Sequence, residues 1–437
     1  MSAASSSPAP LSAAEFAAHL AALHPSDTLA VAFSGGPDSL ALLYLAAQWA
    51  KKSKHRKLIV LTVDHGLRPE SAKEALACAR MAKALGVSHR ILVWRGDKPK
   101  AGIQAAARDA RYRLLAQACV SEGASDLLVA HHLEDQAETF LLRLARGSGV
   151  DGLAGMAAVR MLQGDVRLLR PLLDVPRARL MAVLAKAKLE AIQDPSNDNP
   201  RFDRVKARRL MAGLSALGLD ASRLADTARH MARVRAALEA ETRVLLSTHA
   251  TLAPTGYIEA DAAAFLRAPE EIGLRALAEI LKCVGGTDYP PRFDALAGLY
   301  AALKAGKLGN GRTLNGCKLV FEGKRLVALR EAAASLGAAP LRLKTGESGI
   351  WDGRFVVSLS AAPKRAGGIE IRSLGSEGLA ALKAQGLDAP AGVKSALPAL
   401  PALWKGTALL AAPHFGTVDP AYRLEVRVLR PVLFAAA

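Results

Sequence analysis

The sequence predicts an α/β protein. A parallel, five-stranded-type sheet flanked by helices comes first, then a mainly helical region, then a small mixed α/β domain. Three observations carry this. Short apolar runs alternate with helix-length stretches over the first 150 residues, a glycine turn closes the first of those runs, and the texture changes twice further along. Buried strands separated by helices of this length require a parallel sheet covered on both faces.

The elements follow in order. Ser12 with Glu15 reads as a capping box opening a helix whose buried side is Phe16, Leu20 and Leu23. Strands are expected at 28–33, 58–63, 89–94 and 126–130, and helices at roughly 38–50, 70–85, 102–121 and 134–146. In such sheets ligands bind beyond the carboxyl ends of the strands. After Pro171 the strand signal fades and 176–189 looks helical. DPSNDNP at 194–200 is turn-rich. From 206 to about 307 the pattern is mostly helical, with alanine-rich 217–247 and breaks at Pro254, Gly256 and Pro290–Pro291. LVFEGKRLVALRE (319–331) and RFVVSLS (354–360) turn strand-like. Three domains are expected, 1–215, 216–335 and 336–437.

The chain has 437 residues, 51% hydrophobic and 22% charged, which is folded composition rather than disorder. Its net charge of +18 suits a polyanionic partner, though a solvated basic surface would read the same way. Residues 301–437 alone hold 19 Lys and Arg against 9 Asp and Glu, so the charge is spread along the chain. Four cysteines without a CxxC argue against a zinc or disulfide scaffold and for a reducing compartment, and a cytoplasmic location is expected. The first 30 residues hold no Lys or Arg, so no signal peptide is expected, and no apolar run is long enough for a membrane span.

The first polar cluster is SGGPDS (34–39). Glycines let backbone approach a ligand, and helix N-terminal amides favour a phosphate. Ser34 and Ser39 add hydroxyls. Asp38 would repel a bare phosphate, and it makes sense if magnesium lies between them. The string is neither GxxxxGK[ST] nor GxGxxG. In isolation it also fits an ordinary glycine turn with an Asp or Ser cap.

Further clusters sit at the other strand ends or just past them. Asp64 and His65 end the second strand, where a strand-end cap is the plainer reading. Arg108 and Arg111 share one helix face and Arg113 follows. They suit phosphates or merely a solvated surface. In HHLEDQAET, Asp135 and Glu138 share a face, and no HExxH zinc set is present. Helix capping competes with substrate handling there. Arg143, Arg146, Gly147, Gly149 and Gly152 follow. Asp194, Ser196 and Asn197 read as a turn, with Arg204, Lys206, Arg208 and Arg209 as a basic patch after it.

SGGPDS resembles the loop of the ATP pyrophosphatase, or PP-loop, superfamily. The surrounding motifs narrow this: TVDHGLRPES (62–71), GIQAAARDARYRLL (102–115), HHLEDQAETFLLRLARGSGVDGLAGM (131–156), RPLLDVPRARL (170–180) and DPSNDNPRFDRVKARR (194–209). Together they resemble the tRNA(Ile)-lysidine synthases over about residues 28–210, with a similar layout to about 331. The resemblance implies an ATP-dependent ligase that adenylates C2 of the wobble cytidine of tRNA(Ile) with a CAU anticodon. Free L-lysine then attacks through its ε-amine.

It also implies roles. Asp38, Asp135 and Glu138 are expected to be catalytic. Ser34, Gly35, Gly36, Pro37, Asp38, Ser39, Asp64, His65, Arg108 and Gly147 are expected to hold ATP, and Asp38 and Asp135 to hold Mg2+. Arg111, Arg143, Arg204, Lys206, Arg208 and Arg209 are expected to meet tRNA. His131 and His132 are left between substrate contact and shaping the turn, and a homodimer stays open. Gln104, Glu134 and Val205 depart from the usual pattern, which carries an acid near the first, an aspartate at the second and an asparagine at the third. Two other classes compete. A tRNA thiolation enzyme on this fold would need cysteine chemistry. A non-catalytic RNA binder would leave the ordered acidic and glycine clusters unexplained.

Overall fold

The structure is a computed structural model that describes residues 8–67, 70–96, 98–99, 102–192, 203–214, 217–363, 367–416, 418–429 and 435–436. The DPSNDN turn and residue 215, an expected domain boundary, lie outside them. The chain divides into two compact units, Met1–Arg235 and Ala236–Ala437.

The first unit opens with α1 (Ala13–Ala21). The Ser12 side chain accepts from the Glu15 amide and Glu15 reaches back to the Ser12 amide, so the capping box forms, with Phe16 and Leu20 buried. Then come β1 (Thr28–Ala32), α2 (Pro37–Lys51), β2 (Lys57–Asp64), α3 (Ser71–Ala84), β3 (Ser88–Val93), α4 (Ile103–Ser121), β4 (Asp126–Leu128), α5 (Leu133–Leu144) and α6 (Val150–Leu153). β5 (Val159–Met161), β6 (Arg167–Leu169), α7 (Arg177–Ala187) and α8 (Asp203–Leu214) complete it, and α9 (Ala221–His249) begins within it.

Five strands are parallel in the order β3-β2-β1-β4-β6, and β5 adds an antiparallel edge. The run β1 to β3 grows one way and β4 starts on the other side of β1. That reversal opens a crevice at the carboxyl ends of β1 and β4. Cores lie on both faces of the sheet. Phe16, Leu20, Val31, Leu42, Leu128 and Leu180 belong to one, and Ala30, Leu61, Leu115, Leu127 and Leu168 to the other.

The strands β5 and β6, each three residues long, are not read from the sequence, whereas β4, also three residues, is marked by an apolar run that continues to Ala130. β6 is fixed by pairing with β4 and by Arg167, which donates to both oxygens of fully buried Asp126 at 2.7 and 2.8 Å.

The second unit contains β7 (Ala250–Leu252), β8 (Ile258–Asp261), α10 (Ala262–Arg267), α11 (Glu270–Gly285), α12 (Phe293–Lys304), β9 (Arg312–Leu314), β10 (Cys317–Glu322), β11 (Arg325–Arg330) and α13 (Ala332–Leu336). β7 to β11 form a sheet in the order β7-β8-β11-β10-β9, packed with α10 to α12 around Phe265, Leu277, Leu281 and Leu319. The expected breaks at Pro254 and Gly256 are the turn of the β7–β8 hairpin, which the helical reading had passed over. Gly256 has φ +79°, which favours glycine.

β12 (Ser348–Trp351), β13 (Phe355–Ala361), β14 (Ile369–Ser373), α14 (Gly375–Ala384), β15 (Pro401–Lys405), β16 (Ala408–Ala411) and β17 (Arg423–Val428) follow. They build two three-stranded sheets, β12-β13-β17 and β14-β15-β16, around Trp351, Phe355 and Trp404. β18 (Ala435–Ala436) pairs with β7.

Candidate active site

A cavity of about 1630 Å³ lies in the first unit at the carboxyl ends of β1, β2 and β4. Its floor is the SGGPDS turn. Gly36 is the N-cap of α2 and Pro37 its first residue, and no side chain caps this helix. Gly36, Pro37, Asp38 and Ser39 all line the cavity, so the uncapped N-terminus is available to an anion. Gly35 has φ +83°, and a Cβ there would stand 2.6 Å from Ile192 Cδ1 and 3.0 Å from Cys78 Sγ. The backbone conformation therefore demands glycine, and the Ile192 and Cys78 side chains crowd the space a Cβ would take. Ser39 Oγ donates to the Gly36 carbonyl at 3.0 Å, lies 3.2 Å from Ser34 Oγ, and accepts from the Ser34 amide at 3.3 Å, which braces the turn.

Opposite the turn, β4 runs into His131 and His132 and then α5. His132 is buried among carboxylates. Its Nδ1 is 3.0 Å from Glu134, and its Nε2 lies 3.4 Å from Asp135 and 3.8 Å from Asp38. Burial alone would lower its pKa. The bond to Glu134 and the charges of Asp135 and Asp38 outweigh that and raise it. Asp135 also accepts from the His132 amide at 3.1 Å, closing the first turn of α5. Asp38 and Asp135, distant in sequence, thus approach one ring nitrogen.

Arginines surround this acidic knot. Arg177 Nε is 2.9 Å from Asp38, and the Arg177 amide donates to Glu134 at 2.9 Å. Arg204 lies 3.5 Å from Asp135. Arg208 donates to Glu138 at 3.0 Å, while Glu138 Oε2 is buried with no hydrogen-bond partner among the described residues. Burial raises the Glu138 pKa against the opposing charge of Arg208. Arg208 lines the cavity and Glu138 does not.

A cationic corner lies on α4. Arg108 stacks on Tyr112 at 5.1 Å and Arg160 on the same ring at 6.0 Å. Arg111 donates to His65 Nε2 at 3.2–3.3 Å. Burial first, and the Arg111 charge second, push the His65 pKa down to about 4, so the ring acts as a neutral acceptor.

The cavity therefore gathers Ser34, Gly36, Pro37, Asp38, Ser39, Arg108, Arg111, Asp135, Arg204 and Arg208. Other expected site residues stand elsewhere. Asp64 caps its strand end, accepting from the Gly66 amide and the Ser71 hydroxyl. Arg143 donates to the Gly152 and Gly155 carbonyls, and Gly147, at φ +69°, turns the exit of α5. Lys206 lies 3.7 Å from Asp203, and Arg209 is exposed. Arg177, Tyr112 and Ile192 line the cavity without having been singled out by sequence. RPLLDVPRARL was the available signal for Arg177, but nothing in that string reports that it folds back onto Asp38.

A family model described as a PP-loop domain matches residues 10–214. A tRNA(Ile)-lysidine synthase of Rhodopseudomonas palustris is 48% identical, covering 68% of this chain and 89% of its own. One from Ruegeria pomeroyi is 39% identical over 90% of both chains. One from Bradyrhizobium diazoefficiens is 43% identical over 78% of this chain and 98% of its own. With a glycine turn at the switch point of a parallel sheet and likeness of this extent, the chain belongs to the tRNA(Ile)-lysidine synthase family and is an ATP-binding PP-loop enzyme of the ATP-dependent ligase class.

Proposed function

We propose that this enzyme converts the wobble cytidine of tRNA(Ile) with a CAU anticodon to lysidine, using ATP and free L-lysine. The observation that carries the reading is one cavity joining an anion-binding turn and a cationic corner to a knot of carboxylates. A nucleotide triphosphate needs the first two, and an incoming amine needs the third.

The cytosine C2 oxygen attacks the α-phosphorus. A phosphorus–oxygen bond forms and pyrophosphate leaves with the electrons of the broken anhydride bond. The lysine ε-amine then attacks C2, AMP departs with the oxygen, and the nitrogen loses its protons to solvent or a carboxylate. Lysine arrives as an ammonium, with a reference pKa of about 10.4. Asp135 lines the cavity and is the carboxylate that receives it, while Glu138 stands behind Arg208. The α2 N-terminus and Arg177 suit the pyrophosphate end, and Arg108 and Arg111 the remaining phosphate charge. Arg204, Lys206, Arg208 and Arg209 suit tRNA phosphates, which confer affinity and register rather than base identity.

Asp38 and Asp135 fit a magnesium ion. Both approach the His132 ring, and Arg177 faces Asp38 as Arg204 faces Asp135. One or two carboxylates plus phosphate oxygens is the usual magnesium donor set. When bound, the ion would neutralise phosphate charge.

Thiolation is disfavoured by the cysteines. All four are buried and outside disulfides, and burial pushes Cys78 up to about 11 and Cys119 and Cys317 up to about 12. A reactive thiol needs the opposite shift.

The test is to incubate the enzyme with magnesium-ATP and tRNA containing unmodified tRNA(Ile), with and without lysine, and to analyse nucleosides by mass. Lysyl-cytidine appearing only with both ATP and lysine is the expected result. ATP cleavage with a different RNA product would overturn the reading.

A further inference from the structure

The chemistry above leaves His131 and Arg170 without roles, yet their geometry is specific. Arg170 follows β6 directly and is 5% exposed. Its amide donates to the Ala158 carbonyl at 2.9 Å and its NH1 to the Ala157 carbonyl at 2.6 Å. Its Nε points at His131 Nδ1, 3.3 Å away. No carboxylate pairs with Arg170 among the described residues.

A guanidinium has donors only. The His131 Nδ1 must therefore offer a lone pair, and a neutral imidazole with a free Nδ1 carries its proton on Nε2. The surroundings keep the ring neutral. Burial acts most strongly, Asp135 on α5 opposes it, and Arg170, Arg204 on α8 and Arg108 on α4 reinforce it, pushing the pKa down to about 3. His131 lines the cavity, and its Nε2, across the ring from Arg170, has no protein partner among the described residues.

We propose that Arg170 is a positioning residue: it locks His131 in the Nε2–H form, so the cavity receives a neutral donor for a phosphoryl oxygen of the nucleotide, and neither a base nor a metal ligand. This rests on the adenylation reading for the identity of the acceptor. A phosphoryl oxygen is the acceptor because the α4 cationic corner shares this cavity and because charge builds there as the phosphorus is attacked. A neutral, pre-oriented donor stabilises that charge and keeps its proton. Proton removal from lysine then falls to another group.

The test uses the full chain labelled with ¹⁵N-histidine, without substrates, and a two-bond ¹H–¹⁵N spectrum, with His131→Gln assigning the resonance. The expected pattern is a neutral, Nε2-protonated ring across about pH 5 to 8, where an ordinary histidine changes charge. An imidazolium or an Nδ1-protonated ring in that range overturns the proposal. This readout needs neither tRNA nor turnover, so it stands apart from failure of the lysidine reading. Arg170→Met is expected to mix the tautomers, and an unchanged Nε2–H pattern in a folded variant counts against Arg170. In single turnover with magnesium-ATP and tRNA, His131→Ala should lose about 100- to 1000-fold in rate, the effect of removing one such donor. His131→Gln, whose amide can donate at a similar reach, should recover most of that loss. Equal losses in the two variants would remove the donor role.

Discussion

Gly35→Ala tests the floor of the cavity. At φ +83° the added methyl meets the steric cost of the left-handed region, about 1–2 kcal/mol. It also stands 2.6 Å from Ile192 Cδ1 and 3.0 Å from Cys78 Sγ. Ile192 Cδ1 ends a flexible side chain that can turn aside, but the Ile192 amide, which donates to the Gly35 carbonyl at 2.9 Å, keeps its backbone beside the turn. Overpacking of this kind costs about 1–3 kcal/mol. Together the variant should lose about 2–5 kcal/mol, and at about 2–4 °C per kcal/mol for a unit of this size its transition should fall by about 4–20 °C. Calorimetry of the first unit's transition reads this, and titration with magnesium-ATP should show weakened binding as the turn deforms. Adding Ile192→Ala removes the overlap but not the backbone strain, so the double variant should be less destabilised than the two single effects summed. A Gly35→Ala protein that melts with the parent and binds nucleotide equally well would refute the reasoning.

Three further perturbations discriminate structure from site. Arg177→Ala should leave the melting temperature nearly unchanged, since exposed pairs contribute about 0–1 kcal/mol. It should weaken magnesium-ATP binding by about 10-fold or more, the value of one charge-assisted bond. Unchanged or tighter binding by calorimetry would remove Arg177 from the phosphate site. Asp126→Ala strips a fully buried carboxylate from the Ser26 amide and from Arg167, whose side chain is 31% exposed and can rehydrate, and should cost about 1–3 kcal/mol in urea unfolding; a loss below about 0.5 kcal/mol would contradict the pairing. The Ser12 amide and then Arg179 lower the Glu15 pKa from 4.5 to about 2. A depressed carboxylate contributes stability above its unfolded pKa and loses it as pH falls through its folded one. The gap between the parent and Glu15→Gln should thus be full above pH 4.5 and close as pH falls toward about 2. A gap independent of pH would show that the capping carboxylate is not the cause.

Much of the first unit was legible because the signals were local. Apolar runs of strand length, separated by helices, marked β1 to β4, and Ser12 with Glu15 announced α1. SGGPDS declared its turn because only glycine suits its second position. Among the missed strands, β5 to β9 are three or four residues long and pairing fixes them more than composition does, while β12 and β14 to β17 lie in a stretch read only as a small mixed domain.

Residue type and spacing alone determined the class of fold and the glycine turn, since each is written in neighbouring residues, and the motifs in their order carried the resemblance to the family. Partnership across the chain was decided only by tertiary structure. Arg177 reaches Asp38 from 139 positions away, Arg170 holds His131 from 39, and Arg208 covers Glu138 from 70. The physical reason is that charge and protonation at a site depend on what stands within a few ångströms. Here those neighbours arrive on α7, after β6 and on α8, and no local pattern in the sequence records their meeting.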